Sequence, residues 1–144
     1  MDSKKIFEKV MKESTQIALA SLSTSDEVMK PNVRLMCFYY DFTTKKIYFC
    51  TFQNSPKMAE FEKNERVAFT TCPIEEHLAV RVEDAIIQRS SKSAMEVLEE
   101  ISKKISMFDD IKSGDISNII PYEISFDKIH LHAEHNYVVD LENS

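Results

Sequence analysis

The chain has 144 residues, 43% hydrophobic and 29% charged, with 18 Lys+Arg against 24 Asp+Glu and a formal net charge of −6. That length and balance describe one globular domain, 1–144, with a core large enough to need no staples, and they exclude a disordered chain. An acidic chain without a basic stripe also excludes a sequence-independent grip on nucleic acid, which depends on Lys and Arg displacing counterions from phosphates.

No run approaches the roughly 20 apolar residues of a membrane span. The opening MDSKKIFEKVMKES mixes acids and bases instead of forming an apolar signal segment, so a cytoplasmic protein is expected, with no membrane partner. Cys37, Cys50 and Cys72 show no CxxC spacing, which argues against a disulfide framework or a cysteine zinc cage and predicts buried, inert thiols. Gly114 is the only glycine, where average usage of about 7% would give about ten. Dinucleotide fingerprints and Walker loops need several glycines for close backbone approach, so any phosphate must be held by side chains and a helix start.

In chain order, Ile6, Phe7, Val10 and Met11 recur at helical spacing and predict an amphipathic helix over 3–13, capped by Asp2 or Ser3. QIALASLST, residues 16–24, reads as a strand, and the polar segment 25–31, closed by Pro31, as a connection. Residues 32–41, NVRLMCFYYD, read as one strand with Arg34, Met36, Phe38 and Tyr40 on one face and Val33, Leu35, Cys37 and Tyr39 on the other. A turn over 42–45 returns the chain into a strand at 46–52, with Ile47, Phe49 and Thr51 on a shared face. Ser55 as N-cap and Pro56 at the first helical position open a helix to about residue 63, with Met58 and Phe61 inward.

Residues 66–72 and 77–89 read as strands, the second bent or bulged at the adjacent acids Glu83 and Asp84. A helix is expected over 91–108, capped by Ser90 or Ser91, followed by an irregular stretch that ends at Gly114. The tail alternates twice, through Ile120, Tyr122, Ile124, Phe126 and then Ile129, Leu131, Ala133. This predicts a hairpin turning at Asp127-Lys128, with a short last strand over 137–141. Six to eight strands and three helices then make an antiparallel meander or barrel.

One constellation carries chemistry. If the strands flanking the 42–45 turn pair along their length, Arg34, Thr51, Ser55 and Lys57 converge at a helix start, where two cations, two hydroxyls and exposed amides suit a phosphate monoester. Leu35, Met36, Cys37 and Cys50 lie beside them as a wall for a flat ring system.

RLMCFYYD followed by IYFCTFQNSPKMAEFEKNERVAFT resembles the core of the FMN-binding split β-barrel family typified by pyridoxamine 5′-phosphate oxidase, over about residues 15–90. The resemblance implies an antiparallel split β-barrel with peripheral helices and FMN at the interface of a homodimer. It implies that Arg34, Ser55 and Lys57 bind the phosphate, while Thr51 and the backbone of Leu35, Met36 and Cys37 hold ribityl and ring. The activity it implies is a flavin-dependent oxidoreductase acting on a small-molecule redox substrate. The chain has no Trp and lacks the basic carboxy-terminal motif of the vitamin B6 oxidases, which places it nearer the general-stress or flavin-reductase-like members. The alternative is a protein that binds flavin, or haem as some relatives of this barrel do, without turnover. His130, His132 and His135 form a second candidate, since imidazoles at i and i+2 share a strand face and can ligate a metal, but a solvated strand edge explains them as well.

Overall fold

The computed structural model of the chain describes residues 2–25 and 27–143; Met1, Ser144 and Asp26, within the expected connection, lie outside them. Helix α1 (Ser3–Glu13) buries Ile6, Phe7, Val10 and Met11, and the Asp2 carboxylate caps it by accepting from the Lys4 N–H at 2.9 Å. Strands β1 (Gln16–Ser25) and β2 (Val28–Cys37) form a long antiparallel pair from Gln16↔Cys37 to Ser25↔Val28. Pro31 therefore lies within β2 and not in a connection. Proline is tolerated there because β2 stands at an edge, paired only with β1.

The run expected as one strand over 32–41 divides at Phe38 into β2 and β3 (Tyr39–Asp41), and only β3 pairs with β4 (Lys46–Phe52). Helix α2 (Pro56–Lys63) follows, then β5 (Arg66–Thr71) and β6 (Ala79–Arg89). The sheet runs β2-β1-β5-β6-β7-β4-β3, with β7 at Ile119–Ser125. Since β2 and β3 adjoin in the chain at opposite ends of this order, the sheet curls into an antiparallel split barrel. The β5–β6 register shifts between Val67 and Phe69, opposite the exposed acids Glu83 and Asp84, so those acids do mark a bulge.

Two expectations need correction. The helix over 91–108 is instead α3 (Ala94–Ser102), capped by Ser93, and a separate α4 (Phe108–Ser113) that ends at Gly114. Nor do β7 and β8 (Lys128–His132) form a hairpin. They pair with successive halves of β6, Ile86–Arg89 with β7 and Ala79–Arg81 with β8, and β8 turns back into β9 (Asn136–Asp140). The described residues thus hold nine strands and four α-helices, and none of those helices is long and apolar enough to cross a membrane.

The barrel interior packs Phe38, Ile47, Phe49, Ile124, Ile129 and Leu131, all essentially without exposure. On the outside of the wall, α3 and α4 cover Tyr39 and Tyr48 with Val97, Leu98, Ile101 and Phe108. Two lysines fasten this helical cover. Lys92 bonds Asp41 at 2.7 Å and sits 4.4 Å from the Tyr48 ring centre, while Lys104 donates to the Ser14 carbonyl at 2.8 Å and lies 4.3 Å above Phe38.

Burial pushes the Lys104 pKa down to about 8, the nearby Cys37 thiol only partly offsetting it. The unfolded chain therefore binds more protons at this residue between pH 8 and the ordinary lysine range, and stability must rise with pH there. Wild-type protein should gain stability relative to Lys104→Met between pH 7 and pH 9 in urea unfolding. A constant difference across that interval would contradict the assignment.

Candidate functional site

The turn from β4 into α2 is built by residues suited to it. Asn54 takes a left-handed φ of 64°, which Asn tolerates better than most residues, and the Ser55 N–H donates to the Phe52 carbonyl at 3.2 Å. Ser55 then caps α2, its hydroxyl oxygen accepting from the Met58 N–H. Pro56 has no N–H to place, which leaves the Lys57 N–H as the spare donor of the first turn.

Thr51 points inward at the end of β4 with its hydroxyl 3.3 Å from that of Ser55. Lys57 is half-buried and has no ion-pair partner among the described residues. Thr51, Lys57, Cys50 and Phe52 line a cavity of about 150 Å³, closed on its far side by Leu98, Phe108, Ile111 and Ile119. Burial pushes the Cys50 thiol up to about 12, so this wall is a neutral thiol and not a nucleophile. Burial likewise raises Cys37, and all three cysteines are free.

Arg34 is positioned differently. β2 does not pair with β4, so Arg34 reaches α2 near the other end of the helix, where its guanidinium donates to Glu60 at 3.0 Å and to Ser21 at 2.9 Å. Five residues separate Glu60 from Ser55, a rise of about 7.5 Å along the helix. The structure thus joins Cys50, Thr51, Ser55 and Lys57 at one corner and gives Arg34 a carboxylate of its own. Glu60 is the residue that sequence reasoning missed. Its signal was an acid on the inward stripe of α2, between Met58 and Phe61.

Leu35, Met36 and Cys37 alternate as expected: Met36 is buried, while Leu35 is 59% exposed. Because β2 pairs on one side only, the second backbone edge of these three residues has no sheet partner. Val33, 64% exposed, extends the apolar outer face of the same strand.

The histidines lie elsewhere. His130 stands 3.5 Å from Glu83, and His132 faces the Asn136 side chain at 3.0 Å. Among the described residues, no group of three or more His, Cys, Asp or Glu is placed to hold a metal ion.

The model of the pyridoxamine 5′-phosphate oxidase-like family matches residues 10–136. No curated protein matches the chain. Solved structures that resemble it include a pyridoxamine 5′-phosphate oxidase-type protein from Listeria innocua, with 16% identity and a TM-score of 0.66 over 95% of this chain and 98% of that one. An FAD-binding protein from Mesorhizobium loti gives 14% and 0.65, over 93% and 96%. The haem storage protein HutZ of Vibrio cholerae gives 12% and 0.65, over 96% of each.

The Arg34–Glu60 pair is largely enclosed, with side chains 18% and 9% exposed. Removing one partner strands the other's charge, at a cost of about 3 kcal/mol or more. Arg34→Ala should destabilise by about that amount in denaturant unfolding, and adding Glu60→Leu to it should recover most of the loss. Additive losses would mean that the two charges are not coupled.

Proposed function

This chain belongs to the pyridoxamine 5′-phosphate oxidase-like family, and on that premise we propose that it binds FMN at the opening of α2, as a homodimer, and acts as a flavin-dependent oxidoreductase on a small-molecule substrate. The observation that carries the proposal is the half-buried, unpaired Lys57 ammonium beside the Thr51–Ser55 hydroxyl pair. A cation, two hydroxyls and a spare N–H at a helix start are what a phosphate monoester needs. In this reading Ser55, Lys57 and Thr51 hold the phosphate. Arg34, committed to Ser21 and Glu60, stands outside this seat.

The unpaired edge of β2 at Leu35, Met36 and Cys37 offers N–H and C=O groups to the polar rim of the ring, and Cys50 offers an apolar wall. Bound flavin supplies the electron or hydride transfer; the polypeptide orients it and keeps water from one side. The cavity, at about 150 Å³, is smaller than the ~300 Å³ or more usual for ligand pockets. A second copy of the chain therefore completes the site, seated on the exposed apolar groups Val33, Leu35 and Phe52. Retention of Ser55 and Lys57 at the helix start favours flavin over haem. The three free thiols accord with a reducing compartment such as the cytoplasm.

Fluorescence titration with FMN tests the phosphate seat. Lys57→Ala should weaken FMN by about 1.5 to 3 kcal/mol, the range for hydrogen bonds to charged groups, and leave riboflavin, which lacks the phosphate, unchanged. Equal FMN affinity in wild type and variant would remove the assignment. Bleaching of the bound flavin by a reduced nicotinamide, followed by turnover with an acceptor, separates an oxidoreductase from a protein that only holds the cofactor.

A further inference from the structure

The opposite end of β4 holds a second cavity that the flavin reading does not use. It measures about 210 Å³ and lies between the first turns of α1, with Lys4, Phe7 and Glu8, the β3–β4 hairpin, with Tyr40, Phe42 and Lys45, and Leu141 after β9. Lys45 precedes β4 and Thr51 lies near its end, so six residues at ~3.3 Å each put the two cavities about 20 Å apart.

Tyr40 is the informative residue. Its ring is 7% exposed and wedged edge-on between Phe7, at 5.4 Å, and Phe42, at 4.8 Å. Each of the other buried tyrosines has a hydroxyl partner: Tyr39 accepts from Lys92, Tyr48 donates to Thr44 and Tyr122 donates to Glu62. The Tyr40 hydroxyl has none among the described residues. No fully enclosed side-chain nitrogen or oxygen among those residues lacks a partner, so this hydroxyl must open into the cavity. Burial, with the Asp41 charge next to it, pushes its pKa up to about 12, which keeps it a donor at neutral pH.

Two exposed lysines line the same cavity. Neither Lys4 nor Lys45 has an ion-pair partner among the described residues, and Lys45 is carried on a left-handed turn residue with φ 60°. Glu8 opposes them with one negative charge, and the Asp41 carboxylate next to Tyr40 is already paired with Lys92, so the lining itself carries two cations against one anion. Buried phenols seek acceptors, and an acceptor drawn here by net positive charge is anionic. We propose that this cavity binds a small organic carboxylate, its oxygens taking the Tyr40 hydroxyl proton between Lys4 and Lys45 and its apolar body resting on Phe7 and Phe42. The volume admits a single ring or a short branched chain and no nucleotide.

Benzoate, with benzamide as the neutral isostere, serves as the probe in amide chemical-shift titrations of the full chain without flavin. Saturable shifts should centre on Phe7, Tyr40, Phe42 and Lys45, and benzamide should bind at least tenfold more weakly. Tyr40→Phe, which keeps both ring contacts, should weaken benzoate about tenfold, as loss of a hydrogen bond to a charged group does. Lys45→Ala should weaken it several-fold, and Glu8→Gln should tighten it. Absence of saturable shifts, equal affinity for benzamide, or unchanged affinity in Tyr40→Phe would overturn the proposal. So would shifts centred on Thr51 and Lys57, since benzoate would then be reading the phosphate corner. Failure of FMN to bind at α2 leaves these readouts untouched.

Discussion

At Phe38 a single strand changes partners, and the barrel closes because it does. Before that residue the chain pairs with β1, and after it with β4, so two ends of the sheet are joined covalently. The kink is sealed on several sides: the Phe38 N–H donates to the Thr15 carbonyl at 3.3 Å, its ring is wholly buried, and Lys104 lies over it. Changing partners has two consequences for chemistry. The strand's first half keeps one backbone edge free at Leu35 to Cys37, and its second half opens the hairpin into β4, whose far end places Thr51 at the start of α2.

Helix α2 depends on both ends of that arrangement. Ser55 caps it beside Thr51, while Glu60, on its buried side, is balanced by Arg34 reaching across from β2. Placing Arg34 there settles the electrostatics of the helix without using the charge of Lys57. An arginine spent on a buried carboxylate contributes little net field to an anion nearby, whereas a lysine without a carboxylate contributes all of its charge. In the proposed site, attraction for a phosphate would rest on Lys57 and the helix start and not on Arg34.

Much of this was legible in the sequence because period-two alternation is local. Met36, Phe38 and Tyr40 face the core as their spacing requires, the turn over 42–45 holds, and the Ser55-Pro56 cap stands where its residue types put it. What was not legible depends on partners distant in the chain. Alternation assigns faces but not neighbours, so β7 and β8 looked like a hairpin although both lie along β6. Apolar spacing ran through residues 91–108 without a break because α3 and α4 pack on the same outer cluster, and only the turns over 103–107 divide the helix. Arg34 gave no hint of Glu60, since 26 residues separate them.

Net charge is a poor guide to what such a molecule binds. A chain of charge −6 would repel anions at long range, yet water and salt screen that field within about 8 to 10 Å, and recognition is decided inside that distance. Nine of the 18 lysines and arginines are paired with acids among the described residues, among them Arg66 with Asp84 and Arg89 with Glu62. Lys57 at one end of β4, and Lys4 and Lys45 at the other, are not. These three line cavities that also present a hydroxyl and a partly apolar wall. At the two ends of this strand apolar walls lower the local dielectric, so a hydrogen bond to an anion would count for more there than in open water.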